Sequence, residues 1–353
     1  MNIPENDIYD YLKNSDKPII IHGMGNGADK ILAQFECCGI KVNGIAASDN
    51  FVRGQSFHNF VVRKISDFES EYEDFIIITA FGTALPEVMD NIFSLAERHT
   101  VLAADVPVYG DNIWTKEFYR ENIEDIERAY DLLADEKSRY VYENIIKYKL
   151  SGRLDYLRSC YSGKDEVFSD ILRLGKEESY LDLGAYRGDT IDEFLYYTGG
   201  SYSYITALEP DRKTFAKLKA HISYMNNVRI FRMGIWSEDR DMSFEQSLGR
   251  GSNIGQSGQN DLAVTKIDTL YAARRVSYIK MDVEGSERQA IIGGINTIKR
   301  DKPKLNIAAY HRSEDIFSIP LLINSIEPCY KLYMRQHPYI PAWDLNIYAV
   351  YAK

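Results

Sequence analysis

Short apolar runs alternate with polar, glycine-bearing turns along this chain, at the spacing of strands followed by helices. Pro18-Ile-Ile-Ile-His22, Lys41-Val-Asn-Gly-Ile-Ala46, Phe75-Ile-Ile-Ile-Thr79 and Val101-Leu-Ala-Ala104 read as buried strands. Helices are expected from Glu5 to Lys13, from the glycine turn after His22 through about Cys38, and from Pro86 to Arg98. Strands alternating with helices imply β-α-β units and parallel pairing. From Thr115 to Leu150 the pattern turns helical and charged, with Ile123, Ile126, Tyr130, Leu133 and Ala134 on one face. Alternation then resumes, with strands expected at 180–183, 204–208, 228–232, 276–282, 304–309, 331–334 and 347–350. Gly249 to Gly258 is glycine-rich and reads as a mobile loop; Ser252 and Asn253 are its candidates for substrate gating. No convincing internal repeat is present. The expected fold class is α/β. It comprises a smaller Rossmann-like parallel-sheet domain over 1–110, a helical connector over 111–176 and a doubly wound domain over 177–353.

A chain of 353 residues is long for one core and comfortable for two. The formal net charge of −10 should repel nucleic acid, and no basic run with interleaved aromatics appears. The N-terminus lacks the basic start and apolar run of a signal peptide. The most apolar short run, Phe75 to Leu85, is too short to span a bilayer. Cys37, Cys38, Cys160 and Cys329 form no C-x-x-C, which argues against a disulfide framework or a cysteine zinc site and fits a reducing cytoplasm. The 26 tyrosines could pack between helices or line a polar, sugar-like groove.

The most informative passage is Tyr180-Leu-Asp-Leu-Gly-Ala-Tyr-Arg-Gly-Asp-Thr190, followed by Ala207-Leu-Glu-Pro210. It reads as strand, tight glycine turn and helix, then a second strand ending in an acid. A doubly wound sheet holds an adenosine-bearing cofactor in this way. Asp182 just before the turn would repel a pyrophosphate, whereas the cationic, phosphate-free S-adenosylmethionine would tolerate it. Asp182 could take the cofactor's ammonium directly or through water. Glu209 could bridge two ribose hydroxyls. Gly184, Ala185, Tyr186, Gly188 and Thr190 complete the candidate cofactor turn.

In Ile279-Lys-Met-Asp-Val-Glu-Gly-Ser-Glu287 a buried strand delivers Asp282 and Glu284 to the same sheet edge. Either could accept a hydroxyl proton, bind substrate or hold a divalent cation, and Asp282 could also touch the cofactor. Asp282 and Glu287 could instead simply cap the next helix. His311 ends the following strand and could act as a base; His337 is a further candidate. In the first half, Gly23-Met-Gly-Asn-Gly-Ala28 matches G-x-G-x-x-G/A, with Asp49 about twenty residues on. Gly23, Gly25, Gly27 and Asp49 would then serve a nucleotide or nucleotide-sugar. The same turn also suits a scaffold that binds nothing. Tyr9 to Lys13 is the chain's Tyr-x-x-x-Lys, but it precedes the first strand, the wrong place for a short-chain dehydrogenase.

Together, Leu181 to Thr190, Leu208-Glu-Pro210, Ile267-Asp-Thr-Leu270, Ile279 to Glu287, Ala309-Tyr-His311 and the tyrosine-rich C-terminus resemble the FkbM-type methyltransferases over about residues 165–353. The resemblance implies a class I fold, a seven-stranded sheet with its last strand antiparallel. It implies S-adenosylmethionine-dependent O-methylation of a hydroxyl, commonly on a sugar or polyketide-type product, and hence a place in glycan biosynthesis. Asp182, Gly184 and Glu209 would touch the cofactor, and Asp282, Glu284 and His311 would lie near the acceptor. Arg187 departs from the acidic or small residue often found in the turn; it could pair with Asp189 or reach the substrate. The first half looks like nucleotide-sugar-binding domains of some sugar-modifying acyltransferases. The expected partner is a small-molecule or nucleotide-linked sugar acceptor, and the chain could pair as a homodimer. Two other readings stay open: an NAD-dependent nucleotide-sugar oxidoreductase, and a non-catalytic binding protein on a methyltransferase fold.

Overall fold

The computed structural model describes residues 3–245, 253–254 and 260–352. Its N-terminal sheet has strands β1 (Ile19–His22), β2 (Gly44–Ala46), β3 (Ser56–Phe57), β4 (Phe60–Arg63), β5 (Ile76–Thr79) and β6 (Thr100–Leu102). They lie in the order β3-β4-β2-β1-β5-β6, parallel except for the β3–β4 pair. Every residue of β1 and β5 is buried, as continuous Ile runs require when helices cover both faces. The β3–β4 hairpin was not legible, because its strands are short and mostly solvent-facing.

The C-terminal half builds β7 (Ser179–Leu183), β8 (Tyr204–Leu208) and β9 (Val228–Phe231). A small sheet follows: β10 (Gly234–Ile235), β11 (Arg240–Glu245), β12 (Asn253–Ile254) and β13 (Asn260–Thr265). The chain then returns to the main sheet as β14 (Tyr278–Met281), β15 (Lys304–Ala308), β16 (Tyr330–Gln336) and β17 (Leu345–Tyr351). The main sheet has seven strands in the order β16-β17-β15-β14-β7-β8-β9, and β17 alone runs antiparallel to the other six. This is the class I arrangement expected. The small sheet corrects the reading of the glycine-rich segment, since Asn253 and Ile254 pair with Glu245 and Phe244. Ser252 and the gating role given to it lie outside the described residues.

Between the sheets run the helices Lys116–Glu121, Ile123–Asp131, Glu136–Ser151 and Leu154–Ser159. Asp135 caps the third by accepting from the Ser138 N–H at 2.7 Å, and Gly152 ends it in the left-handed conformation. Ile126, Ala129 and Leu133 are buried, whereas Ile123 at the helix start is exposed, against the expected stripe. This segment touches the outer strand of both sheets: Arg153 bridges Leu102 of β6, and Leu133 and Tyr161 bridge Leu332 and Gln336 of β16. One continuous apolar cluster joins a face of each sheet through Trp114, Tyr142 and Tyr148. Among the described residues, no helix is long and apolar enough to cross a membrane.

Candidate functional site

In open α/β sheets ligands bind beyond the carboxyl ends of the strands. Here the carboxyl ends of both large sheets open on one cavity of about 1060 Å³. On the N-terminal side it is lined by residues following β1 (Met24, Asn26, Gly27), β5 (Ala80, Phe81, Gly82) and β6 (Val106–Val108). On the other side stand Gly184 and Tyr186 after β7, Glu209 after β8, Asp282 and Glu284 after β14, and Tyr310 and His311 after β15. The volume exceeds the upper end of the usual range for one small ligand, about 300–1,000 Å³.

The cofactor turn is packed to the limit of what glycine permits. Gly184 has φ +81, and an added Cβ would overlap the Asp282 carbonyl oxygen. Tyr186 takes a left-handed φ of 47, and its N–H donates to Glu209 Oε2 at 3.0 Å. The Asp211 N–H donates to Glu209 Oε1 at 2.8 Å. Each Glu209 oxygen therefore keeps a lone pair for a ligand hydroxyl. Burial raises the Glu209 pKa to about 7 against the lowering effect of those two N–H donors. Arg187 neither pairs with Asp189 nor lines the cavity; it lies over the Tyr186 ring at 4.9 Å.

Asp182 sits beneath the cavity rather than in its wall. It is fully buried, accepts from Thr190 Oγ1 at 2.6 Å, and has Lys280 Nζ 3.8 Å away. Thr190 lines the cavity, whereas Ala185 and Gly188 support the turn from behind. Asp182 is thus sealed from the cavity wall and reaches it through the Thr190 hydroxyl. Lys280 was not singled out from the sequence; a lysine inside an otherwise apolar buried strand was the available signal.

The acceptor-side acids converge on His311. Its Nε2 lies 3.4 Å from Asp282 Oδ1 and 3.5 Å from Glu284 Oε2, and its Nδ1 lies 2.9 Å from Glu287 Oε1. Burial lowers the His311 pKa, but Glu287 and then the other acids outweigh it and lift the value to about 10. The surrounding acids thus favour the charged imidazolium, a form that cannot accept a proton, over the neutral ring that the role of base expected from the sequence requires. Glu284, pushed up by burial, adopts a left-handed φ of 53, a strained conformation of the kind that collects at functional sites. Glu287 is fully buried and accepts from the Val283 N–H at 2.9 Å, so it stays in the structural role allowed for it. Asp282, Glu287 and His311 bring ligand-type atoms within 4.8 Å of one another. Glu284 is not part of this group, so the Asp282–Glu284 pair considered for a divalent cation is not the set of atoms that converges. Asp282 also accepts from the Tyr310 hydroxyl at 3.1 Å and remains partly exposed to the cavity. His337 lines the cavity but holds the Ser162 carbonyl and the Tyr348 hydroxyl, each at 2.8 Å.

In the N-terminal half, the helix Asn26–Cys38 starts at Gly25 without a side-chain cap. Gly23 and Gly25 have φ +131 and +113, and a Cβ at Gly27 would overlap the Ala80 carbonyl oxygen. The backbone therefore requires glycine at these positions, whatever the turn binds. Asp49 does not join them: it lies three residues past β2, exposed and 3.3 Å from Lys64 Nζ. Tyr9 is also committed elsewhere, donating to the Asp105 carbonyl at 3.1 Å.

Residues 182–325 match the Methyltransferase FkbM domain. Methyltransferase FkbM from Methylobacillus flagellatus KT shares the fold over 98% of this chain and 94% of its own, with a TM-score of 0.74 at 20% identity. An rRNA methylase from Streptococcus thermophilus aligns over 54% of this chain and 95% of its own, with a TM-score of 0.35 and 11% identity. Fibrillarin from Aeropyrum pernix, in complex with S-adenosyl-L-methionine, aligns over 53% of this chain and 73% of its own, with a TM-score of 0.34 and 14% identity. No curated protein matches the chain.

Proposed function

We propose that this chain, whose residues 182–325 match the Methyltransferase FkbM domain, methylates a hydroxyl oxygen of a sugar, glycan precursor or related small molecule, using S-adenosylmethionine. The observation that carries this reading is the placement of Glu209 and Asp282 on either side of β7, both opening on one cavity. The residues fit the cofactor. Glu209 has lone pairs left for two ribose hydroxyls, and Gly184 lets the turn beside it close onto the Asp282 backbone, bringing the two strand ends together at the cavity. When bound, the cofactor supplies a sulfonium-activated methyl group.

The protein's own tasks are alignment, exclusion of water and removal of one proton. On this reading Asp282 takes the acceptor's proton: its carboxylate reaches the cavity, while the acids around His311 favour that ring's charged form. The Tyr310 hydroxyl and the His311 imidazolium fix it from one side and stabilise its charged form. On this reading His311 serves as a fixed positive charge rather than as the base.

The cavity's polarity supports a nucleotide-linked acceptor. Its carboxylates, Asp189, Glu193, Glu209, Asp211, Asp282, Glu284 and Asp344, all come from the C-terminal half. Lys30 is the charged residue that the N-terminal half adds to the lining, near the uncapped start of the helix Asn26–Cys38. A cationic cofactor suits the acidic end, and a phosphate suits the other.

Calorimetric titration with S-adenosylhomocysteine tests the reading, with Glu209→Ala and NADH as comparisons. Micromolar binding that Glu209→Ala abolishes supports it and justifies screening nucleotide sugars for methyl transfer. NADH binding without S-adenosylhomocysteine binding overturns it. Cofactor binding with no transfer to any hydroxylated acceptor points instead to a non-catalytic binding protein.

A further inference from the structure

Lys280 is 8% exposed in the middle of a parallel sheet, a setting that ordinarily excludes lysine unless its charge is paired. Strand register explains the pairing. Lys280 sits directly beside Asp182 on β7, and Asp282 follows two residues later on the same face of the chain. The ammonium lies 3.8 Å from Asp182 Oδ1 and 3.7 Å from Asp282 Oδ2, and donates to the Gly184 carbonyl at 3.3 Å. One cation thus touches the acid under the cofactor turn, the turn itself and the acid facing the acceptor.

We propose that Lys280 is a positioning residue for methyl transfer: its ammonium holds the Asp282 carboxylate ionised and fixes it to the turn that carries the cofactor. The inference rests on the methyltransferase reading and adds to it the group that couples the two halves of the reaction. Asp282 is faced by Lys280 within its own strand, by Tyr310 and His311 after β15, and by Glu284 and Glu287 after β14; Asp182 lies beyond Lys280 on β7. The acids disfavour ionisation of Asp282. Lys280 and His311 oppose them, and of these two only Lys280 also reaches the cofactor turn.

Carboxyl-carbon NMR of aspartate-labelled protein reads the effect directly, with the Asp282 signal identified by its loss in Asp282→Asn. Wild type, Lys280→Arg and Lys280→Met are titrated, and S-adenosylhomocysteine affinity is measured on the same samples. Loss of a cation at this distance should raise the Asp282 midpoint by about one to three units in Lys280→Met, and by less than about one in Lys280→Arg. A folded Lys280→Met protein whose Asp282 titrates as in wild type overturns the proposal. If Lys280→Met does not fold, Lys280→Gln, which keeps a donor for the Gly184 carbonyl, is read against the same two outcomes. Failure of wild type to bind S-adenosylhomocysteine would sink the methyltransferase reading separately, without moving the Asp282 titration.

Discussion

At the scale of single residues, two ionisable groups set opposite demands on pH. Glu209 has its pKa raised to about 7 by burial, above the ordinary carboxylate value. Its contribution to folding is therefore fully present below the unfolded value and lost as pH rises towards 7. Glu209→Gln should flatten that dependence, measured by denaturant unfolding, while its amide NH2 sets a donor against one of the two backbone N–H groups and so costs stability at low pH. Ribose binding needs the ionised form, so S-adenosylhomocysteine affinity should rise from about pH 6 to pH 8 in wild type. Calorimetry should show that rise vanish in Glu209→Gln. His311 behaves in the other direction in charge, with its pKa lifted to about 10 by Glu287, Asp282 and Glu284 against burial. The stability it contributes is complete below its unfolded value and is lost as pH rises through about 10. The melting temperature of wild type should fall over that window, and His311→Gln should flatten the fall. At neutral pH the same substitution should cost about 3–5 kcal/mol, because it strips a buried cation from its acids.

At the scale of elements, the turn between β7 and the helix Asp189–Thr198 holds the closest packing in the site. Gly184→Ala should abolish S-adenosylhomocysteine binding and lower stability by more than about 1–3 kcal/mol, since backbone rather than a flexible side chain opposes the new Cβ; calorimetry and a thermal melt check both. The strands around this turn were legible because buried parallel strands are uninterrupted apolar runs ended by glycine or acid, as at Tyr180 to Gly184 and Ile205 to Glu209. The small sheet β10–β13 was not, because two of its strands are only two residues long, the other two open on polar pairs, and a glycine-rich stretch interrupts them. Candidate site residues were found wherever they follow a strand: Glu209, Asp282 and Glu284 all reach the cavity. Position alone could not give their state. Asp182 was legible as an acid but not as one sealed under the turn, and His311 as an ionisable group but not as one surrounded by carboxylates. Lys280 escaped notice because its partners lie on a neighbouring strand and a later turn.

At the scale of the whole molecule, the cavity exists only because two sheet edges face each other. The loop after β5 meets the loop after β16 through paired bonds, Thr83 N–H to the Ile340 carbonyl at 2.7 Å and Ile340 N–H to the Thr83 carbonyl at 2.9 Å. Gly82 lies against Trp343, where an added Cβ would come within 2.7 Å of the indole ring. Gly82→Val should therefore lower stability by about 1–3 kcal/mol, while S-adenosylhomocysteine affinity stays within about a factor of two if the cofactor occupies the end of the cavity lined by Gly184 and Glu209. A large loss of that affinity in calorimetry would show that this seam also shapes the cofactor end. The helical segment bonded to β6 on one side and β16 on the other has a kinetic consequence. Two lobes strapped together at their outer margins have no free hinge, so ligands must enter and leave by local breathing of the rim. Solution scattering should then give the same radius of gyration with and without saturating S-adenosylhomocysteine, even while exchange of the bound molecule is slow.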